Sequence, residues 1–132
     1  KELQQLRQNV QYWQGIADDA PEINGFCVEL EVELIDSLLI QFSDSLELTI
    51  ENNQAILKRR SVKNGEWQSR FWSGDIKHLQ ILCDSSSVEI FFNHGLGVMS
   101  SRFFPSAKKI INFSGKNTIK LTTWQLNDAL FS

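Results

Sequence analysis

An all-β fold, a two-sheet antiparallel β-sandwich of jelly-roll-like type preceded by a short linker helix, is what this sequence predicts. Three observations carry the prediction. Phe26 to Leu34 alternates apolar residues with glutamates, the period of a strand with one buried face. Further short apolar runs follow along the rest of the chain with no helical period between them. The links between runs are rich in residues that tolerate positive φ, such as Asn52-Asn53, Asn64-Gly65 and Asn93-His94-Gly95.

Taken in order, the first segment differs from the rest. Leu3, Leu6, Val10 and Trp13 lie at helical spacing, and Glu2 near the start suits a helix dipole, so residues 1–15 read as an interdomain linker helix and 16–132 as the sandwich domain. Between Gly15 and Gly25, Asp18, Asp19, Pro21 and Asn24 mark a connector in which proline stops helix continuation. After Phe26 to Leu34, strand-like runs are Ser37 to Ser43, Leu46 to Glu51, Ala55 to Val62, Trp67 to Trp72 and Leu79 to Cys83. Val88 to Phe92, Val98 to Phe104, Lys109 to Phe113 and Thr118 to Leu126 bring the number of predicted strands to ten. Many short strands with short turns and no intervening helices exclude a parallel α/β sheet, and no internal repeat suggests a propeller or solenoid.

Composition agrees with a single folded domain. The chain has 132 residues, 42% hydrophobic, 22% charged and 11% aromatic, which is not the composition of a disordered segment. Thirteen Lys and Arg against sixteen Asp and Glu give a net charge of −3, opposite in sign to what a phosphate backbone attracts. Apolar stretches are only a few residues long, far below the roughly 20 that cross a bilayer as a helix. Neither nucleic acid nor membrane is an expected partner. Lys1 is not an initiating methionine, so the chain is expected to derive from something longer. Cys27 and Cys83 lie in apolar strand-like runs, where a thiol commonly behaves as a small buried hydrophobe; whether the two are bonded is left open.

Candidate chemistry is sparse. His78 and His94 are too few and too separated for a His-rich metal site, and no Cys-x-x-Cys, His-Glu-x-x-His or Gly-x-Ser-x-Gly spacing occurs, so neither metal nor cofactor is expected. Gly95-Leu96-Gly97 reads as a hairpin, since no helix follows it to complete a phosphate loop. Glu29, Glu31 and Glu33 point to one strand face at intervals of about 6.6–7 Å. They read as a solvated face, or one turned toward another domain, rather than as a glycosidase acid/base pair. Asp84 and Glu89 flank a turn, where an Asp commonly caps backbone amides. Trp67, Trp72 and Trp124, with Trp13, are candidates for a sugar-stacking or interface surface. Trp67 and Phe71 share one face of their strand and Gln68, Arg70 and Trp72 the other, so at least one of these two Trp is expected outside the core.

One segment carries a family likeness. Asp84-Ser85-Ser86-Ser87-Val88-Glu89-Ile90-Phe91, then Asn93-His94-Gly95, then Ser101-Arg102-Phe103-Phe104-Pro105, resembles the signature of the C-terminal module of glycoside hydrolase family 32. That family includes invertases, fructanases and bacterial sucrose-6-phosphate hydrolases. Glu2-Leu3-Gln4-Gln5-Leu6-Arg7 resembles the linker that follows the family's catalytic domain, and Arg60-Ser61 a pair before a variable hairpin. The chain departs at His94, where the family usually has Asp, and at Ser85, where Arg is common. The resemblance marks Asp84, Ser87, Glu89, Asn93, Gly95, Ser101, Arg102 and Pro105 as structural motif positions. It implies a sandwich packed against an N-terminal five-bladed propeller that carries the catalytic residues.

None of those catalytic residues carries over. The family's catalytic motifs are Asn-Asp-Pro-Asn, Arg-Asp-Pro and Glu-Cys, whereas here Pro21 follows Ala20, Pro105 follows Phe104, Cys27 follows Phe26 and Cys83 follows Leu82. The resemblance therefore implies a non-catalytic module of a β-fructofuranosidase, with sucrose 6-phosphate the expected substrate of the parent and, for a parent of that kind, the bacterial cytoplasm the expected location. The module is expected to stabilise the propeller and support homodimerisation; a fructan- or sugar-binding module is the alternative. From spacing, Arg102 on the return strand is expected to pair with Asp84 and pin the hairpin register.

Overall fold

A computed structural model describes residues 7–24, 28–33, 36–42, 46–60, 65–83, 87–102 and 110–126. Within these lie twelve strands: β1 (Arg7–Ile16), β2 (Ile23–Asn24), β3 (Val28–Glu33), β4 (Leu38–Phe42), β5 (Leu46–Glu51), β6 (Gln54–Arg60), β7 (Trp67–Ser73), β8 (His78–Cys83), β9 (Ser87–Phe92), β10 (Gly97–Arg102), β11 (Ile110–Ser114) and β12 (Thr118–Leu126). Two short 3₁₀ turns, Ala17–Asp19 and Asn93–Gly95, interrupt them. The strands form two six-stranded antiparallel sheets, ordered β1-β12-β3-β8-β9-β10 and β2-β11-β4-β5-β6-β7. All ten predicted runs are strands, with ends shifted by no more than a few residues.

Alternation builds the core. On β3 Val28, Leu30 and Val32 point inward, on β4 Leu38, Ile40 and Phe42, and on β5 Leu46, Leu48 and Ile50, all buried. β8 and β9, in the same sheet as β3, supply Leu79, Ile81 and Cys83, and Val88, Ile90 and Phe92, which face the side chains of β4 and β5. Each such side chain contributes about 1.5–3 kcal/mol by leaving water, so these two inner faces hold the sheets together. The β5–β6 hairpin turns at Asn52 and Asn53 with φ of 53° and 59°, positive values that a two-residue hairpin turn demands and that Asn tolerates.

The expected linker helix over 1–15 is corrected. From Arg7 to Ile16 the chain is β1, paired antiparallel with β12, with Trp13 opposite Leu121 and Gly15 opposite Ile119. Residues 1–6 lie outside the described residues. The helical spacing of Val10 and Trp13 is real, but β12 presents a long edge whose ladder hydrogen bonds outweigh a weak local preference. A register irregularity between Gln8 and Gln11, and exposure of both faces of an edge strand, hide the alternation that marks the other strands.

The connector after β1 crosses from one sheet to the other and is stapled to the β11–β12 hairpin. The Ala17 amide donates to the Asn117 carbonyl and the Asp18 amide to the Gly115 carbonyl, both at 3.0 Å. In return the Gly115 amide donates to Asp18 Oδ1 at 2.8 Å. β2 went unpredicted because two residues carry no period.

Candidate functional site

The motif turn between β9 and β10 is built on Asn93. Asn93, His94 and Gly95 have φ of 51°, 60° and 101°, a left-handed run that Asn and Gly accept readily and His does not. The Asn93 Oδ1 accepts from the Lys77 amide at 2.9 Å and the His78 amide at 3.2 Å, and its Nδ2 donates to the Asp75 carbonyl. One side chain thus clamps the β7–β8 loop onto the β9–β10 turn, and the Leu96 amide closes the turn on the Phe92 carbonyl at 2.9 Å.

The same clamp brings the two histidines together, a correction to their sequence separation. Their rings stack with centroids 3.9 Å apart at an interplanar angle of 17°. His78 is only 5% exposed, and Glu31 Oε2 lies 3.0 Å from its Nε2. That contact meets the distance but not the alignment of a hydrogen bond, leaving both ring nitrogens of His78 without a hydrogen-bond partner. Among the described residues, no group of three or more His, Cys, Asp or Glu side chains is arranged to hold a metal ion.

Glu29, Glu31 and Glu33 do share the outer face of β3, but the face expected to be solvated is wet only in part. Glu33 is exposed, Glu31 half-buried and Glu29 fully buried at 0%. β3 is central, between β12 and β8, and in register Trp124 and Leu82 stand on either side of Glu29. Large neighbours on an interior strand remove a carboxylate from water where an edge strand would leave it wet. Gln80 Nε2 donates to Glu29 Oε2 at 2.6 Å, the kind of contact a buried carboxylate requires. Gln80 is a residue that sequence reasoning missed. Its signal was available: one polar residue in the apolar run Leu79 to Cys83, in phase with the β3 glutamates.

β7 separates its aromatics as the alternation requires. Trp67 and Phe71 stand outward, 46% and 61% exposed. Trp72 turns inward and stacks on Phe92, with centroids 4.6 Å apart and planes 3° from parallel. A Cβ at Gly97 would land inside the Trp72 indole, so the small residue at the start of β10 is what lets that ring slide between the sheets. Arg70 Nη1 donates to the Ser100 carbonyl at 3.0 Å and ties the two sheets at this edge. Trp124 is half-buried on the outer face of β12.

The remaining motif positions lie along the β9–β10 ladder, where Ser87 is opposite Arg102, Val88 opposite Ser101 and Glu89 opposite Ser100. Glu89 is exposed on the outer face. Asp84, Ser85 and Pro105 lie outside the described residues, and so does the expected Arg102–Asp84 pair. Cys27 falls outside them too, while Cys83 is buried on the inner face of β8. No helix among the described residues is long and apolar enough to cross a membrane.

Comparison with known proteins places this sandwich. Residues 2–127 match the family model described as "Glycosyl hydrolases family 32 C terminal". The sucrose-6-phosphate hydrolase of Klebsiella pneumoniae is 38% identical over 133 aligned positions, and that of Salmonella typhimurium 34% over 130. Both alignments cover 98% of this chain, which spans 27% of the length of each relative. Among solved structures, sucrose-6-phosphate hydrolase from Lactobacillus gasseri superposes with a TM-score of 0.72 at 21% identity, over 96% of this chain and 30% of that one. The family 32 β-fructofuranosidase of Bombyx mori gives 0.69 at 22%, over 96% and 28%. At these identities the structures speak for the fold alone, and the family match over nearly the whole chain does the rest: this chain belongs to the C-terminal domain family of the family 32 glycosyl hydrolases.

Proposed function

We propose that this chain is the non-catalytic C-terminal module of a β-fructofuranosidase that cleaves sucrose 6-phosphate in the cytoplasm. Its role is to stabilise an N-terminal propeller that carries the catalytic residues. The observation that carries this reading is the pair of relatives named sucrose-6-phosphate hydrolase, which this chain matches over 98% of its own length but 27% of theirs. The site chemistry supports it. Glycoside hydrolysis needs two carboxylates that flank a sugar from opposite sides of the scissile bond and are free to act on it. The β3 glutamates instead lie along a sheet face, Glu29 taken up by Gln80 and Glu31 set beside His78.

Stabilisation is tested by deletion. A parent enzyme lacking these residues is expected to unfold at lower temperature and lose activity; unchanged stability and activity would end the scaffold reading. The module is also proposed to support homodimerisation, for which Trp67 and Phe71 offer apolar surface on an edge strand. Sedimentation of the parent with Trp67→Ala and Phe71→Ala should then show a shift toward monomer. A sugar-binding role is the second reading, favoured by the exposure of Trp67. Loss of inulin or levan binding in the Trp67→Ala variant would support it over dimerisation.

A further inference from the structure

Each sheet of the sandwich ends in two edge strands, and all but β7 are blunted against the addition of another strand. β1 carries a register irregularity between Gln8 and Gln11. β2 is only two residues long. On β10 the Ser100 carbonyl is already taken by Arg70 Nη1. Irregular register, short length and covered main-chain groups are the devices by which natural sheets protect an edge. β7 has none of them: its seven residues keep an unbroken register with β6, include no Pro or Lys, and all but Trp72 are exposed.

The direction of its free main-chain groups follows from the ladder. Hydrogen-bonded and non-hydrogen-bonded pairs alternate along antiparallel strands. The Gly74 amide donates to the Asn53 carbonyl at 2.9 Å, one step past the Gln54–Ser73 pair that ends the β6–β7 register. By alternation Gln68, Arg70 and Trp72 turn their amides and carbonyls toward β6, and Trp67, Ser69 and Phe71 turn theirs to the open edge. The side chains of Trp67 and Phe71 stand exposed on the outer face.

We propose that β7 pairs antiparallel with β7 of a second copy, about a two-fold axis at Ser69. In this register Ser69 faces the partner's Ser69, and Trp67 faces the partner's Phe71 on both sides of the axis. Every one of these residues presents its main-chain groups outward, so each facing pair exchanges two hydrogen bonds. Aromatic pairs opposite one another on one face are favourable contacts between strands. On the inner face Arg70 meets the partner's Gln68, which carries no like charge. A shift of two residues also keeps outward groups together. In one direction it sets Arg70 against the partner's Arg70, and in the other it moves Phe71 out of the aromatic pairing, opposite the partner's Gly65. β7 is thus complementary to itself in one register, as an isologous interface requires, and pairing uses up the edge, so assembly through it closes at two copies. The pairing rests on the homodimer reading above and gives that dimer its interface.

The test is sedimentation and oxidative crosslinking of the parent enzyme. Ser69→Pro removes an amide that β6 does not use, and proline is tolerated on an edge strand at such a position, so the fold should persist while the dimer dissociation constant rises by about tenfold or more. Ser73→Pro, on the same edge but outside the paired residues, should leave the dimer intact. Ser69→Cys should form a disulfide-linked dimer under mild oxidation, because facing hydrogen-bonded residues have Cα atoms about 5.5 Å apart, within disulfide range. Ser73→Cys and the unaltered parent should not. A dimer that survives Ser69→Pro, with no crosslink at Ser69→Cys, would overturn the β7 pairing while leaving the homodimer reading in place. An unaltered parent that sediments as a monomer would overturn both.

Discussion

Asn93 shows how much one side chain can organise. It satisfies two amides of the β7–β8 loop, donates to a carbonyl of the same loop, and takes a positive φ that few residues accept without strain. Asn93→Ala removes those bonds and leaves their backbone partners to compete for water. We expect a loss of about 2 kcal/mol in urea unfolding. Gly97→Ala places a methyl where the Trp72 indole lies, and should cost a similar amount, about 2 kcal/mol, through displacement of that ring. The turn at Asn93-His94-Gly95 was legible from residue type, since Asn and Gly announce positive φ. The stacking of His94 on His78 was not, because residues sixteen apart meet only once β8 and β9 have paired. Burial of Glu29 was equally hidden: alternation assigns a residue to a face but does not say whether its strand is central or at an edge.

Whole strands were read well where one face is buried and poorly where neither is. β3, β4, β5, β8 and β9 alternate cleanly because each is flanked on both sides and packs one face on the core. β1 is an edge strand, and its Gln-rich segment shows a helical spacing that its pairing with β12 overrides. Removing residues 1–15 would strip Trp13 from the core and leave β12 as an unprotected edge. We expect Tm to fall by about 10 °C and aggregation on heating to increase, read by calorimetry and light scattering. β7 makes the complementary case, one strand with opposite roles on its two faces. Trp72→Ala should destabilise by about 3 kcal/mol, because the ring is stacked between the sheets, whereas Trp67→Ala should change stability by less than about 0.5 kcal/mol. Equal effects at the two positions, measured by chemical unfolding, would mean that the inward and outward assignments are wrong.

Across the molecule, fold class and family were both legible, for different reasons. The class follows from period-two patterning and turn chemistry, which are local. The family follows from the Asp84 to Pro105 segment, whose order and spacing are specific even though part of it lies outside the described residues. The β1 edge was not legible, since it is formed by a strand that sequence reasoning took for a helix. As a whole the domain pairs an apolar core with an outer face on which Gln80 holds Glu29 and Glu31 lies beside His78, and the supporting role proposed above is a reading of that whole. The most direct test of that reading is the rate of sucrose 6-phosphate hydrolysis by this chain, alone and after mixing with the separately produced N-terminal portion of its parent. No turnover alone, with activity or thermal half-life raised on mixing, is the predicted result. Turnover by the purified chain alone would contradict it.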